Sequence, residues 1–117
     1  MKLLAADIGN TNITLGLFNE GAMVGSWRAT TRATATADEL AIAVSELIGL
    51  DGHVLAEIDA VALASVVPPL TQSFERFATE DRMPNVRREN EEKPKGGKNR
   101  LSLFALRRPV SFDDVWI

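Results

Sequence analysis

At 117 residues, 45% of them apolar and 25% charged, the chain has the composition of one globular domain, not of a fibrous or intrinsically disordered protein. The absence of cysteine rules out disulfides and thiolate metal sites. A formal net charge of −3 hides an asymmetry: residues 1–79 hold four basic and nine acidic side chains, whereas residues 80–117 hold nine basic and seven acidic.

The N-terminus, Met1-Lys2-Leu3-Leu4, meets Asp7 before a long apolar region can develop, so no signal segment forms and a cytoplasmic location is expected. No stretch reaches the roughly 18 apolar residues that span a bilayer, and no membrane partner is expected. Residues 2–8 (KLLAADI) read as a buried strand that stops at the turn-forming cluster Gly9-Asn10-Thr11-Asn12. Residues 12–19 read as a second strand. Asn19-Glu20-Gly21 supplies a tight turn, and residues 22–29 complete a β-meander.

Thr36-Ala37-Asp38-Glu39 is a capping-box pattern that starts a helix. Leu40, Val44, Leu47 and Ile48 then form one apolar stripe, and the helix ends near Gly49 or Gly52. Residues 59–65 (DAVALAS) form a near-continuous apolar run, as expected of a strand covered on both faces and paired in parallel. Pro68-Pro69 suits a first helical turn, and Leu70, Phe74 and Phe77 continue at helical spacing, giving a second helix over 69–78. The predicted order is βββαβα, after which one more parallel strand would normally follow. Met83 to Val86 is too short and charged for that role.

The texture changes near Thr79. Between Glu80 and Arg100, twelve of 21 residues are charged, with two prolines and Gly96-Gly97. Residues 80–117 are therefore expected to form a charged, poorly ordered tail, too polar to offset its ordering entropy, and a truncated or frameshifted reading frame is the expectation drawn from that break. Leu101 to Leu106 and residues 109–117 regain apolar character without an assignable role.

The stretch that carries chemistry is Asp7-Ile8-Gly9-Asn10-Thr11-Asn12-Ile13-Thr14. It sets a carboxylate near the end of a buried strand with a glycine-containing turn behind it, where backbone amides and the side chains of Asn10 and Thr11 can donate to phosphate oxygens. A carboxylate repels phosphate unless Mg²⁺, which keeps several waters, lies between them. The bland alternative is an ordinary hairpin, since Gly and Asn favour turns for conformational reasons alone.

The DIGNT turn resembles the first phosphate motif of the actin, heat-shock protein and acetate and sugar kinase superfamily. Ser26-Trp27-Arg28 with Thr30-Thr31, Thr36-Ala37-Asp38-Glu39-Leu40, and Ser65-Val66-Val67-Pro68-Pro69-Leu70 narrow the match. In this order and spacing they are similar to the N-terminal part of type III pantothenate kinases, over about residues 1–79. The resemblance implies an α/β, ribonuclease H-like (actin-like ATPase) half-domain. It also implies ATP-dependent phosphorylation of pantothenate to 4'-phosphopantothenate, the first step of coenzyme A biosynthesis, with Mg²⁺, a monovalent cation (K⁺ or NH₄⁺) and a homodimeric assembly. By the same resemblance Asp7 positions the metal, and Gly9, Asn10, Thr11, Asn12 and Thr14 face the nucleotide phosphates. The family's G-A-D-R-like motif, with its catalytic base and substrate arginine, and its C-terminal nucleotide motifs do not occur, so no residue is assigned as catalytic and the chain is expected to be inactive or impaired. Asp81-Arg82 follows the second helix too soon to substitute.

The competing reading is non-enzymatic: a nucleotide-binding remnant, or an accessory transcription-factor-like protein, although no DNA-reading element supports the latter and no nucleic-acid partner is expected. Trp27 reads as a packing residue, Arg28 as a solvated strand charge, and His53 as a loop histidine without a partner. Lys93 to Lys98 lacks the spacing of a P-loop, and adjacent Asp113-Asp114 would point to opposite faces of a strand.

Overall fold

A computed structural model of the chain describes residues 1–79, 82–84 and 86, together with the backbone of 100–105. Asp81, the Lys93–Lys98 stretch and Asp113-Asp114 lie outside the described residues, as does most of the expected tail. Strands β1 (Lys2–Ile8), β2 (Asn12–Asn19) and β3 (Ala22–Thr30) form the antiparallel meander. Helix α1 (Ala37–Gly49) leads through a short 3-10 turn, Leu55–Glu57, to β4 (Ala60–Ser65), which pairs in parallel with β1, and α2 (Pro68–Ala78) follows. This is the expected α/β order.

Each element has a local cause. Glu20 and Gly21 both take positive φ (51° and 82°), the conformation of a two-residue hairpin whose twist matches its strands. Thr36 caps α1 by accepting from the Glu39 amide at 3.1 Å, while the Thr36 amide donates to the Glu39 carboxylate at 3.1 Å. That backbone donor, then the threonine hydroxyl and the charge of Arg32, hold the Glu39 carboxyl below its ordinary range. Pro68 and Pro69 fill the first turn of α2, where no amide partner is needed.

Alternation along the strands sorts side chains onto two faces. Leu4, Ala6, Ile8, Ile13, Leu15, Leu17, Trp27, Val61 and Leu63 pack beneath Leu40, Val44 and Ile48 of α1 and Leu70, Phe74 and Phe77 of α2. Ala41 joins the α1 stripe and is buried, while Leu47 is only half-buried. The opposite face carries a small separate cluster, Leu3, Ala60 and Ala62, flanked by Met1 and Phe18. Both helices thus cover one face, and the other carries the site described below.

Three features differ from the expectations or extend beyond them. The core does not stop at Thr79: Met83 and Val86 are buried in the same cluster, and the Val86 amide closes a turn on the Met83 carbonyl at 2.9 Å. These residues are too few for a strand, but both side chains add apolar surface to the main core cluster. A fifth strand, β5 (Arg100–Ala105), does border β4, completing the order β3-β2-β1-β4-β5, but it runs antiparallel, not parallel. It arises well beyond α2 in the chain, and a long connection allows either direction, whereas a parallel partner is the outcome of a direct crossover.

The third concerns His53, which has partners. Its Nδ1 lies 3.0 Å from Glu57 Oε1, and its ring stands edge-on to Trp27 at 6.2 Å. Glu57 also accepts from Lys2 Nζ at 2.9 Å and from the Val54 amide at 3.1 Å. The Lys2 hydrogen bond is the main reason the Glu57 carboxyl sits below its ordinary range, with the Val54 amide and His53 adding to it against the effect of burial. A carboxyl with a lowered folded pKa stabilises the fold above its unfolded value, near 4.3, and loses that contribution as pH falls through the lowered value. Glu57→Gln is therefore expected to cost about 1 kcal/mol or less at neutral pH. In thermal melts from pH 7 to pH 3 its deficit against the parent should close below about pH 4; a deficit constant with pH would refute the link.

Trp27 closes the β3 side of the core. Its indole donates to Asp51 Oδ2 at 2.8 Å, tying β3 to the segment after α1. The ring lies over Gly25, where an added Cβ would come within 2.4 Å of it. Because the ring is buried and its N–H is engaged, it cannot swing aside freely. Gly25→Ala is expected to cost about 1–3 kcal/mol through overpacking, measured by urea unfolding, with a shift in the Trp27 fluorescence; an unchanged midpoint would show that the ring relocates at no cost.

Candidate functional site

The site lies where β1 ends. The bend at residues 9–11 joins β1 to β2 and is closed at its base by the Gly9 amide donating to the Asn12 carbonyl at 2.9 Å. A Cβ on Gly9 would stand 3.3 Å from that carbonyl oxygen, tighter than most such contacts, so a larger residue there would push the closing hydrogen bond by a few tenths of an ångström. Val66 fastens the end of β4 to β1 by donating to the Ile8 carbonyl at 3.1 Å. From the other side Thr31, just past β3, grips the bend twice: its amide donates to the Thr11 carbonyl at 2.9 Å and its hydroxyl to the Gly9 carbonyl at 2.7 Å.

Those bonds engage the bend's carbonyls and leave its outer amides open. The Asn10 and Thr11 N–H groups have no acceptor among the described residues, and both residues are exposed. A surface amide pair of this kind presents fixed partial positive charge to an anion. Asp7, Asn12 and Thr14 are also exposed. By strand alternation they share the face of the sheet away from both helices, with Asp7 directly opposite Thr14 in the register. Asp7 makes no hydrogen bond or ion pair among the described residues. The bend is therefore open, and the carboxylate points outward.

The structure brings Asp7, Gly9, Asn10, Thr11, Asn12 and Thr14 to one end of the sheet. Gly9 acts through geometry, and the others present polar groups. Among the described residues no cluster of three or more His, Asp or Glu side chains forms a metal cage. A lone exposed carboxylate instead fits a cation that retains most of its waters, the habit of Mg²⁺. Sequence reasoning missed Thr31, although Thr30-Thr31 stood in a motif it singled out: its role depends on where β3 ends relative to the bend, a long-range fact. The strand-to-helix turn at residues 65–68 is structural, with the Ser65 hydroxyl accepting from the Val67 amide at 3.1 Å.

Among the described residues no helix is long and apolar enough to cross a membrane. Comparison with known proteins gives a consistent answer. A protein from Syntrophobacter fumaroxidans named type III pantothenate kinase is 48% identical over 75 residues, covering 64% of this chain and 29% of the relative. Its namesake from Bifidobacterium adolescentis is 40% identical over 74 residues, or 63% of this chain and 29% of its own. The one from Geobacter sulfurreducens is 46% identical over 76 residues, 65% of this chain and 30% of its own. The chain thus matches under a third of the length of these relatives. The sequence model of type III pantothenate kinases matches residues 3–99, most of the chain, and with the βββαβα order and the open DIGNT bend already described, this chain belongs to the type III pantothenate kinase family.

Proposed function

We propose that this chain is the nucleotide-phosphate-binding part of an enzyme that transfers a phosphoryl group from ATP to pantothenate, giving 4'-phosphopantothenate. The observation that carries the reading is the pair of unaccepted amides at Asn10 and Thr11 beside the unpaired Asp7 carboxylate. Phosphoryl transfer is mainly positioning and charge stabilisation, and a rigid, amide-lined bend supplies the positioning half. Asp7 would hold Mg²⁺ through water, and the ion would neutralise charge on the phosphates. The hydroxyls of Thr11 and Thr14 and the amides of Asn10 and Asn12 would orient phosphate oxygens. A monovalent cation, K⁺ or NH₄⁺, and a homodimeric assembly belong to the same reading.

A second reading rests on the same bend taken alone. It is nucleotide binding without turnover: the bend is present, and no residue of this chain is assigned as the catalytic base. The test is to titrate the purified chain with Mg-ATP by calorimetry and, in parallel, to assay phosphopantothenate formation with potassium and pantothenate present. Saturable Mg-ATP binding is expected. Product formed by this chain and lost in the Asp7→Ala variant establishes the kinase, while binding without product establishes the module. If the folded chain binds no nucleotide at millimolar concentration, both readings fail.

A further inference from the structure

Read across the strands, the register places Asp7 of β1 opposite Thr14 of β2, and Thr14 opposite Arg28 of β3. The three residues form one row on the face that neither helix covers, and all three are exposed. The one irregularity in the β2–β3 ladder lies between Leu17 and Phe18, away from this row, so it does not disturb the facing. Arg28's direction is fixed by its neighbour: Trp27 is buried on the helix side and bonded to Asp51, and alternation sends Arg28 the opposite way. The strand itself is tied to the bend by the two Thr31 bonds.

Arg28 is also uncommitted. It makes no hydrogen bond or ion pair among the described residues, although residues 1–79 hold nine acidic side chains against four basic. Other cations are engaged: Lys2 with Glu57, and Arg82 with Asp38. Neighbouring strands stand about 4.8 Å apart, so the Arg28 and Asp7 backbones are separated by roughly 10 Å with Thr14 between them. A tetrahedral anion above Thr14 fits that gap, within reach of the long guanidinium arm on one side and of a hydrated cation at Asp7 on the other. A guanidinium presents a planar fork of donors matched to phosphate oxygens.

We infer that Arg28 is a phosphate-binding residue, its guanidinium pairing with the terminal phosphate of a nucleoside triphosphate held over Thr14. The inference rests on the nucleotide-binding reading above and deepens it by assigning the triphosphate, over the diphosphate, as the ligand that the sheet face selects. A solvated strand charge, the reading that the sequence favours, would have no such preference.

The test uses the full 117-residue chain and measures calorimetric affinities for Mg-ATP and Mg-ADP in the parent, Arg28→Gln and Arg28→Lys. Because a charge-assisted bond is lost, Arg28→Gln should weaken Mg-ATP about tenfold to a hundredfold. It should change Mg-ADP by less than about threefold, so that the preference for triphosphate collapses, and Arg28→Lys should keep part of it because the charge remains while the fork is lost. Thermal melts should be unchanged in both variants, as the side chain is exposed. Equal losses for the two nucleotides, or none, overturn the assignment of Arg28 while leaving nucleotide binding intact. A parent chain that binds neither nucleotide overturns the underlying reading as well.

Discussion

Asp7→Asn is expected to weaken Mg-ATP binding by roughly tenfold to a hundredfold, the usual scale for losing a group that orients a metal's surroundings. The substitution keeps the shape and removes the charge. Because the carboxylate is exposed and has no partner among the described residues, the fold should not notice: stability should stay within about 0.5 kcal/mol of the parent. The informative measurement is the same titration with magnesium chelated. Without the cation, Asp7 faces bare phosphate and repels it, so Asp7→Asn should then bind ATP as well as the parent or better. The sign of the effect thus reverses with the metal. If Asp7→Asn weakens ATP equally with and without magnesium, the carboxylate acts through the shape of the bend and its metal role is lost.

Phe74→Ala should cost about 3–5 kcal/mol, a large share of the roughly 5–15 kcal/mol by which domains are typically stable. Phe74 is fully buried between α2 and the sheet, edge-on to Phe77 at 5.4 Å and 86°, within a core that also buries Leu70, Ile48 and Met83. The substitution removes a ring whose neighbours, held by two helices and a five-stranded sheet, cannot close the space. For a unit of this size each kcal/mol shifts the midpoint by roughly 4–8 °C, so the melt should fall on the order of 15 °C or more. Phe74→Leu, which leaves less empty volume, should fall much less. Similar midpoints for Ala and Leu would mean that the α2 layer is loosely packed and does not anchor the fold.

The contrast between the two variants separates site from scaffold. Asp7 lies exposed on the open face, where a substitution is expected to leave the fold intact, whereas Phe74 lies in the core on the covered face, where a substitution is expected to weaken the whole fold. The bend depends on the scaffold because two of the three hydrogen bonds that hold it come from a distant residue, the amide and the hydroxyl of Thr31, while Val66 ties the adjoining end of β1.

Much of this was legible without coordinates, and the legible parts share a cause. The Thr36–Glu39 capping box, the Pro68-Pro69 start of α2, the Asn19 to Gly21 hairpin and the apolar stripes of both helices are set by residues within about four positions of one another, which is the range over which backbone capping and helical periodicity act. The Asp7 to Thr14 motif was legible for the same reason: its carboxylate, glycine and turn are contiguous. The sequence by itself therefore determined the elements, their order through α2, and the tight glycine bend between β1 and β2.

What it left undecided involves partners far apart in the chain. The pairing of His53 with Glu57 and Trp27, the burial of Met83 and Val86 beyond the apparent break at Thr79, and the antiparallel direction of β5 carry no local signature, because packing and strand direction are settled only when the layers close. The row from Asp7 through Thr14 to Arg28 is of the same kind. A one-residue slip of β3 would turn Arg28 to the helix side, so only the tertiary register, fixed by the burial of Trp27 and the grip of Thr31, decided that a cation stands across from the carboxylate.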